Sequence, residues 1–261
     1  MLMEKEKIDA LKEQLSVNQF LLPIGYKDSE GGIHRVVTLK PMTGRTEERI
    51  LDPKLRENPI KMIEELLLDV IISIDGIDKV TRDVVRGLAF KDMEYLLVAN
   101  YITSFDDVAT ITSEHSACKG KNEVDINLHD LKVDYITDET PRVLKLTLPR
   151  GYVDREGKVH RDVEMKLPNV FVQQQVMKQA RTGNLSSSIT KMLLLLVKKV
   201  GDITSLSPDL FKDMTKKDRD FLVNSLEQFE GGVDLNYEIV CSTCGETYSS
   251  QIQLIDLLGE N

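Results

Sequence analysis

The sequence predicts an α+β fold built from two tandem copies of one module. Three observations predict it: a set of identities repeated at one fixed offset, a glycine-bearing hairpin turn early in each repeat, and a dense apolar run midway through each.

The repeat is read by self-comparison. Leu22-Pro23-Ile24-Gly25-Tyr26 returns as Leu148-Pro149-Arg150-Gly151-Tyr152, an offset of 126 residues. The same offset carries Asp28 to Asp154, Glu30-Gly31 to Glu156-Gly157, His34-Arg35 to His160-Arg161, Lys91-Asp92 to Lys217-Asp218, and Ile126, Leu128, Asp130 and Leu131 to Ile252, Leu254, Asp256 and Leu257. Between Val17–Leu131 and Val143–Leu257, 27 of 115 positions are identical without a gap. Random pairing at ordinary composition gives about 7, so one register held along the chain reads as a duplication. The expected division is an N-terminal helical extension over 1–16, a first copy over 17–131, a connector over 132–142 and a second copy over 143–261.

Each element follows from local chemistry. In Met1–Ser16, Ile8, Leu11 and Leu15 share one helical face. Leu22–Lys40 holds two extended runs around Asp28-Ser29-Glu30-Gly31-Gly32, and Asp154-Arg155-Glu156-Gly157 repeats that turn. Helices are expected at about Arg45–Leu51 and Val170–Arg181. Met62–Ile74 and Ile189–Val200 are too uniformly apolar for a surface helix, which predicts buried helices. Asp92–Ile102 and Asp218–Phe229 form a third helical pair, with Thr215-x-x-Asp218 as an N-terminal cap that Ala89 cannot supply in the first copy. Short alternating strands around Cys118 and Cys244 close each copy.

Composition narrows the function. A net charge of −9 without a basic stripe counts against a general nucleic-acid binder, which needs clustered Lys and Arg for phosphates. The longest apolar run, Met192–Val197, is far too short to span a bilayer. Three cysteines and no secretory signal point to a reducing cytoplasm rather than a disulfide framework. Walker, GxGxxG, GxSxG and HExxH motifs are absent, so an enzyme is not expected. His34 and His160 lie just after a turn without a nucleophile motif and read as structural; Lys91-Asp92 and Lys217-Asp218 read as helix starts.

Cys241-Ser242-Thr243-Cys244-Gly245 is a zinc-knuckle pattern: two thiolates two residues apart grip one metal from a tight turn, and the glycine permits a positive φ. The repeat offset places His115 and Cys118 opposite Cys241 and Cys244. Together they make a Cys₃His set, which predicts one closed structural zinc site pinning the copies together. A redox pair, a disulfide, a remnant pair, a surface histidine and a free thiol are the competing readings.

Lys40-Pro41-Met42-Thr43-Gly44-Arg45-Thr46-Glu47-Glu48, Lys217-Asp218-Arg219-Asp220-Phe221-Leu222 and the terminal Cys241-Ser242-Thr243-Cys244-Gly245, following the Leu-Pro-x-Gly-Tyr-x-Asp opening, carry a family resemblance. The chain resembles the baseplate hub assembly proteins (assembly chaperones) of T-even-type contractile phage tails and related injection machines. The motifs are divided: Thr-Gly-Arg survives only in the first copy, Asp-Arg and the full Cys pair only in the second. The resemblance implies a virus-encoded protein made in the bacterial host cytoplasm. It would meet baseplate hub or wedge proteins and need no cofactor beyond a structural metal. A permanent structural component of the tail and a host zinc-ribbon adaptor are the alternative functions.

Overall fold

The computed structural model describes residues 2–56 and 58–258; Met1 of the expected N-terminal helix and residues 259–261 of the expected second copy lie outside them. Helix α1 (Leu2–Glu13) leads in, with Ile8 buried and Lys12 lying 4.0 Å from the centre of the Tyr135 ring. Strands β1 (Gln19–Lys27) and β2 (Ile33–Leu39) form the expected hairpin, followed by α2 (Gly44–Ile50) and α3 (Pro53–Arg56). Then come α4 (Pro59–Val70), β3 (Ile71–Ile74), α5 (Arg82–Gly87) and α6 (Phe90–Ser104). Hairpin β4 (Val108–Glu114) and β5 (Lys121–Asn127) and the short β6 (Val133–Asp134) follow. Onward run β7 (Val143–Val153), β8 (Val159–Lys166), α7 (Val170–Thr182), α8 (Leu185–Leu196), β9 (Val197–Val200), α9 (Pro208–Asp213) and α10 (Lys216–Glu227). The chain closes with β10 (Gly232–Val233) and hairpin β11 (Asn236–Val240) and β12 (Thr247–Gln251). The fold is α+β, as expected.

Two antiparallel three-stranded sheets, β1-β2-β3 and β7-β8-β9, are the frames on which the helices pack, with α6 against β1 and α10 against β7. Both sheets break register in their first strand, between Leu21 and Tyr26 and between Thr147 and Tyr152. The Leu-Pro-x-Gly-Tyr motif sits at this break. Gly25 (φ +86°) and Gly151 (φ +88°) take a backbone conformation that side chains resist. The N–H groups freed from the ladder at Ile24 and Gly25 donate to the buried Asp92 carboxylate at 2.7 and 3.0 Å; Asp218 accepts from Arg150 N at 2.8 Å in the second sheet. The Lys-Asp pairs therefore do begin helices, but the aspartates turn away to satisfy the bulge, where an unmet buried N–H would be costly. Thr215 supplies the expected cap, accepting from Asp218 N at 3.2 Å, and Ala89 supplies none.

The expected long helices Met62–Ile74 and Ile189–Val200 are corrected. Each is a 12-residue helix that turns directly into a strand, Ile71–Ile74 or Val197–Val200, pairing with β2 or β8. A uniformly apolar run does not distinguish buried helix from buried strand; the β-branched residues at its end do. The short helices α5 and α9 fall in segments assigned to no element. Burial also differs between the pair: Ile63 and Leu66 are fully buried in α4, whereas Ile189 and Met192, 126 positions later in α8, are half-buried.

Two apolar clusters form. The second is local to residues 148–222 and centres on Phe211, Leu193, Leu196 and Leu222. The first joins β1–β3, α4 and α6 to distant residues: Val170, Val233, Leu235, Ile252, Leu257 and Leu258 complete it. β10 pairs with β6, Phe90 N donates to Pro168 O at 2.9 Å, and Val170 N donates to Leu88 O at 3.1 Å.

Candidate metal centre

Hairpins β4-β5 and β11-β12 each end in a tight turn of the same construction. His115 N donates to Gly120 O at 2.9 Å and Lys119 N to His115 O at 2.8 Å; Cys241 N donates to Glu246 O at 2.9 Å and Gly245 N to Cys241 O at 2.8 Å. The fifth residue of each turn has positive φ, Gly245 at +78° as expected and Lys119 at +60° in the first hairpin. Gly120 has a different task. A Cβ there would stand 2.8 Å from Thr243 Cβ, so its absence lets the two turns meet.

The turns bring together all four residues singled out from the sequence. Cys118 Sγ lies 3.4 Å from His115 Nδ1 and 3.5 Å from Cys241 Sγ, and Cys244 Sγ lies 3.3 Å from the same nitrogen. The four donor atoms all fall within 4.8 Å of one another. A tetrahedral zinc site has bonds of about 2.3 Å to sulfur and 2.0–2.1 Å to nitrogen, hence donor–donor edges of roughly 3.5–3.8 Å. The observed set is close to that size, and three soft sulfurs with one imidazole nitrogen suit zinc. The cysteines are free thiols; His115 and Cys241 are buried and Cys244 is exposed.

Electrostatics favours a cation between them. Burial raises the Cys241 thiol, but the backbone N–H groups of Cys244 and Thr243, the Asn122 amide and Cys118 outweigh it and lower it to about 5. The opposite happens at Cys244: the Glu246 N–H pulls it down, but desolvation and the Cys118 and Cys241 sulfurs push it up to about 11. One thiolate is readily held, and a second is opposed by the first until a positive charge intervenes.

A shell of side chains that the sequence reading did not anticipate orients the donors. Asn122 reaches across the junction: its Nδ2 lies 3.6 Å from Cys241 Sγ and donates to Tyr248 OH at 3.1 Å, while its Oδ1 accepts from Ser242 N and Oγ at 2.7 and 2.8 Å. The His115 ring stacks on Tyr248 at 4.5 Å, and Tyr248 OH donates to Ser113 Oγ at 3.1 Å. Such supports fix the orientation of ligands. Asn122 and Tyr248 are themselves 126 positions apart, a correspondence that was visible but carried no signal because the residue types differ.

The remaining candidates are placed elsewhere. His34 Nε2 lies 2.9 Å from Asp28 Oδ2 and His160 Nε2 lies 2.8 Å from Asp154 Oδ2. Each aspartate also accepts from two N–H groups of its own turn, Glu30 and Gly32 or Glu156 and Lys158. The Asp-x-Glu-Gly…His pattern is therefore hairpin architecture. No helix among the described residues is long and apolar enough to cross a membrane.

No curated protein and no solved structure matches the chain. The family model described as T4 bacteriophage base plate protein matches residues 17–258, which include both hairpins and both sheets, and the chain belongs to that family.

Proposed function

We propose that the chain is a non-enzymatic assembly factor or component of the baseplate hub of a contractile phage tail, built from two duplicated modules whose final hairpins are clasped by one structural zinc. Family membership supports the baseplate role. The convergence of His115, Cys118, Cys241 and Cys244 is the observation that carries the clasp. Four protein donors fill a tetrahedron and leave no open position for water or substrate, the pattern of structural rather than catalytic zinc. Zinc there would neutralise the crowded thiolates and cross-link residues 123 and 129 positions apart, closing a long loop that the unfolded chain would otherwise explore. Matching hairpins, sheets and bulges at one offset support the duplication and the 17–131 and 143–261 division. The proposed partners are hub or wedge proteins, met in the host cytoplasm.

Metal content tests the clasp. The wild-type chain, purified reduced and without chelator, should carry one zinc, and His115→Ala and Cys244→Ser should each lose it. A metal-free wild-type chain would refute it. The two baseplate roles separate by location: a fixed copy number in purified tails identifies a retained component, whereas presence only in assembly intermediates identifies a departing factor. Presence in neither would refute both.

A further inference from the structure

Each three-stranded sheet sets an arginine against the bulge of its edge strand, and only the first arginine is covered. In the first half, Arg35 of β2 sends Nη1 to the Leu22 and Pro23 carbonyls of β1, at 3.1 Å each. The connector lies over this point. Ile136 N donates to Pro23 O at 3.1 Å, and Arg35 Nη2 donates back to Ile136 O at 2.8 Å. Arg35 Nε and Nη2 also donate to the Asp138 carboxylate at 3.2 and 3.1 Å. Arg35, Pro23 and Ile136 are all buried there. Arg142 ties down the far end of the segment by donating to Ile24 O at 2.7 Å.

The second half repeats the arginine and its anchors without the cover. Arg161, Leu148 and Pro149 stand 126 positions after Arg35, Leu22 and Pro23. Arg161 Nη1 donates to the Leu148 and Pro149 carbonyls at 3.4 and 3.0 Å, the same two bonds that Arg35 makes. Burial is where the sites part. Arg35 is 7% exposed and Pro23 is buried, whereas Arg161 is exposed and Pro149 half-buried. Among the described residues, Arg161 Nε and Nη2 meet no acceptor, and no backbone N–H from outside the sheet reaches Pro149 O. The residue at the place of the buried Ile24 is Arg150, which is exposed and has no carboxylate partner among the described residues. Two unpaired cations therefore stand at the open edge of β7.

We propose that this bulge is a docking site for an extended acidic segment of another protein, which runs along the β7 edge at Pro149 and sets a carboxylate on Arg161 as Asp138 sits on Arg35. The covered site supplies the recognition: the same guanidinium, held by the same two carbonyls, turns its Nε–Nη2 edge to a carboxylate and takes a backbone carbonyl beside it. Arg161 keeps that edge free, and a planar fork in a fixed orientation selects a carboxylate over other anions and over neutral groups. Arg150 adds the charge complementarity that favours an acidic segment. A second copy of the chain does not supply it, because its matching segment already lies on its own Arg35 and is tied there by Arg142. The site shares no residue with the metal clasp.

The connector itself is the probe: a peptide of residues 132–142, blocked at both ends, titrated into the full chain while the arginine Nε–H signals are followed by NMR. The peptide should shift the Arg161 Nε–H signal and the amides of Leu148 and Arg150. Asp138→Asn in the peptide should weaken that response at least about tenfold, because a charge-assisted pair is lost. Arg161→Gln in the chain should abolish the response at Leu148 and Arg150. Arg161 is exposed, so the rest of the spectrum should stay in place and show that this variant is folded. No response at about 5 mM peptide, equal responses to the Asp and Asn peptides, or a response at Arg35 in place of Arg161 would overturn the proposal. So would an Arg161 signal that moves with the concentration of the chain alone, since the occupant would then be a second copy.

Discussion

Glu64 joins the halves by a polar contact whose energy can be apportioned. Its carboxylate is fully buried and accepts from Gln174, Arg82 and Arg86, the last at 3.1 Å; Arg82 and Arg86 keep 41% and 35% of their side-chain exposure. Glu64→Ala would strand the buried Gln174 amide, which costs about 1–3 kcal/mol. It would also remove two ion pairs whose cations remain partly solvated, worth about 0.2–1 kcal/mol each. The expected loss is thus about 1.4–5 kcal/mol, read by urea unfolding followed by circular dichroism or tyrosine emission in a chain without tryptophan. A Glu64→Ala/Gln174→Ala cycle should give a coupling of about 1–3 kcal/mol. Acidification supplies a second handle. Burial pushes the Glu64 carboxyl up, but the Gln174 amide and the two guanidiniums outweigh it and hold it below the ordinary 4.5. The unfolded state therefore takes up the proton first: the contribution is complete above about pH 4.5 and is lost as pH falls through the lower folded value. The difference between wild type and Glu64→Gln should shrink over that range. A Glu64→Ala loss under 0.5 kcal/mol, or a wild-type to Glu64→Gln difference flat with pH, would refute the reasoning.

Other consequences are testable separately. Asn122→Ala should weaken zinc binding by about 10–100-fold in a competition titration while preserving one metal per chain, because it removes support and no ligand. Gly76 has φ +67° and a Cβ there would meet His34 Nδ1 at 2.7 Å, whereas Gly157 has φ +85° with open space around it. Gly157→Ala should cost about 1–2 kcal/mol from backbone strain alone, and Gly76→Ala more, with His34 displaced from Asp28. The Asp28 hydrogen bond raises the His34 pKa, and the same bond lowers that of Asp28. The histidine's contribution is complete below about pH 6.5 and lost as pH rises through its raised pKa; the aspartate's is complete above about pH 3.8 and lost on acidification. Asp28→Asn should move the His34 titration downward by NMR. Phe211, fully buried in the second cluster, should cost about 3–5 kcal/mol as Phe211→Ala, measured by denaturant unfolding.

The four donors were legible because cysteine and histidine are rare here and the offset aligned His115-x-x-Cys118 with Cys241-x-x-Cys244. Hairpin turns were legible for a similar reason: Asp and Gly at fixed spacing have few other uses. Apolar density did not mark where α4 becomes β3, since the run stays apolar through Ile71, Ile72 and Ile74 although Ile72 and Ser73 are exposed. Nor did the sequence disclose that α7 bridges two clusters. Val170 and Gln174 on one face, and Val172 and Val176 on the other, resemble an ordinary amphipathic pattern until both neighbours are in place.

The first apolar cluster is completed from far along the chain, by Ile252, Leu257 and Leu258. On a ribosome adding about 5–20 residues per second, the roughly 126 residues between Leu131 and Leu257 take about 6–25 s to emerge. Throughout that interval the earlier-made cluster must wait with part of its surface wet, while residues 148–222 can already close locally. The half synthesised second is thus free to mature first. A nascent chain arrested before Ile252 should remain protease-sensitive around α4 and α6, and release of the final hairpin should convert it to a resistant form.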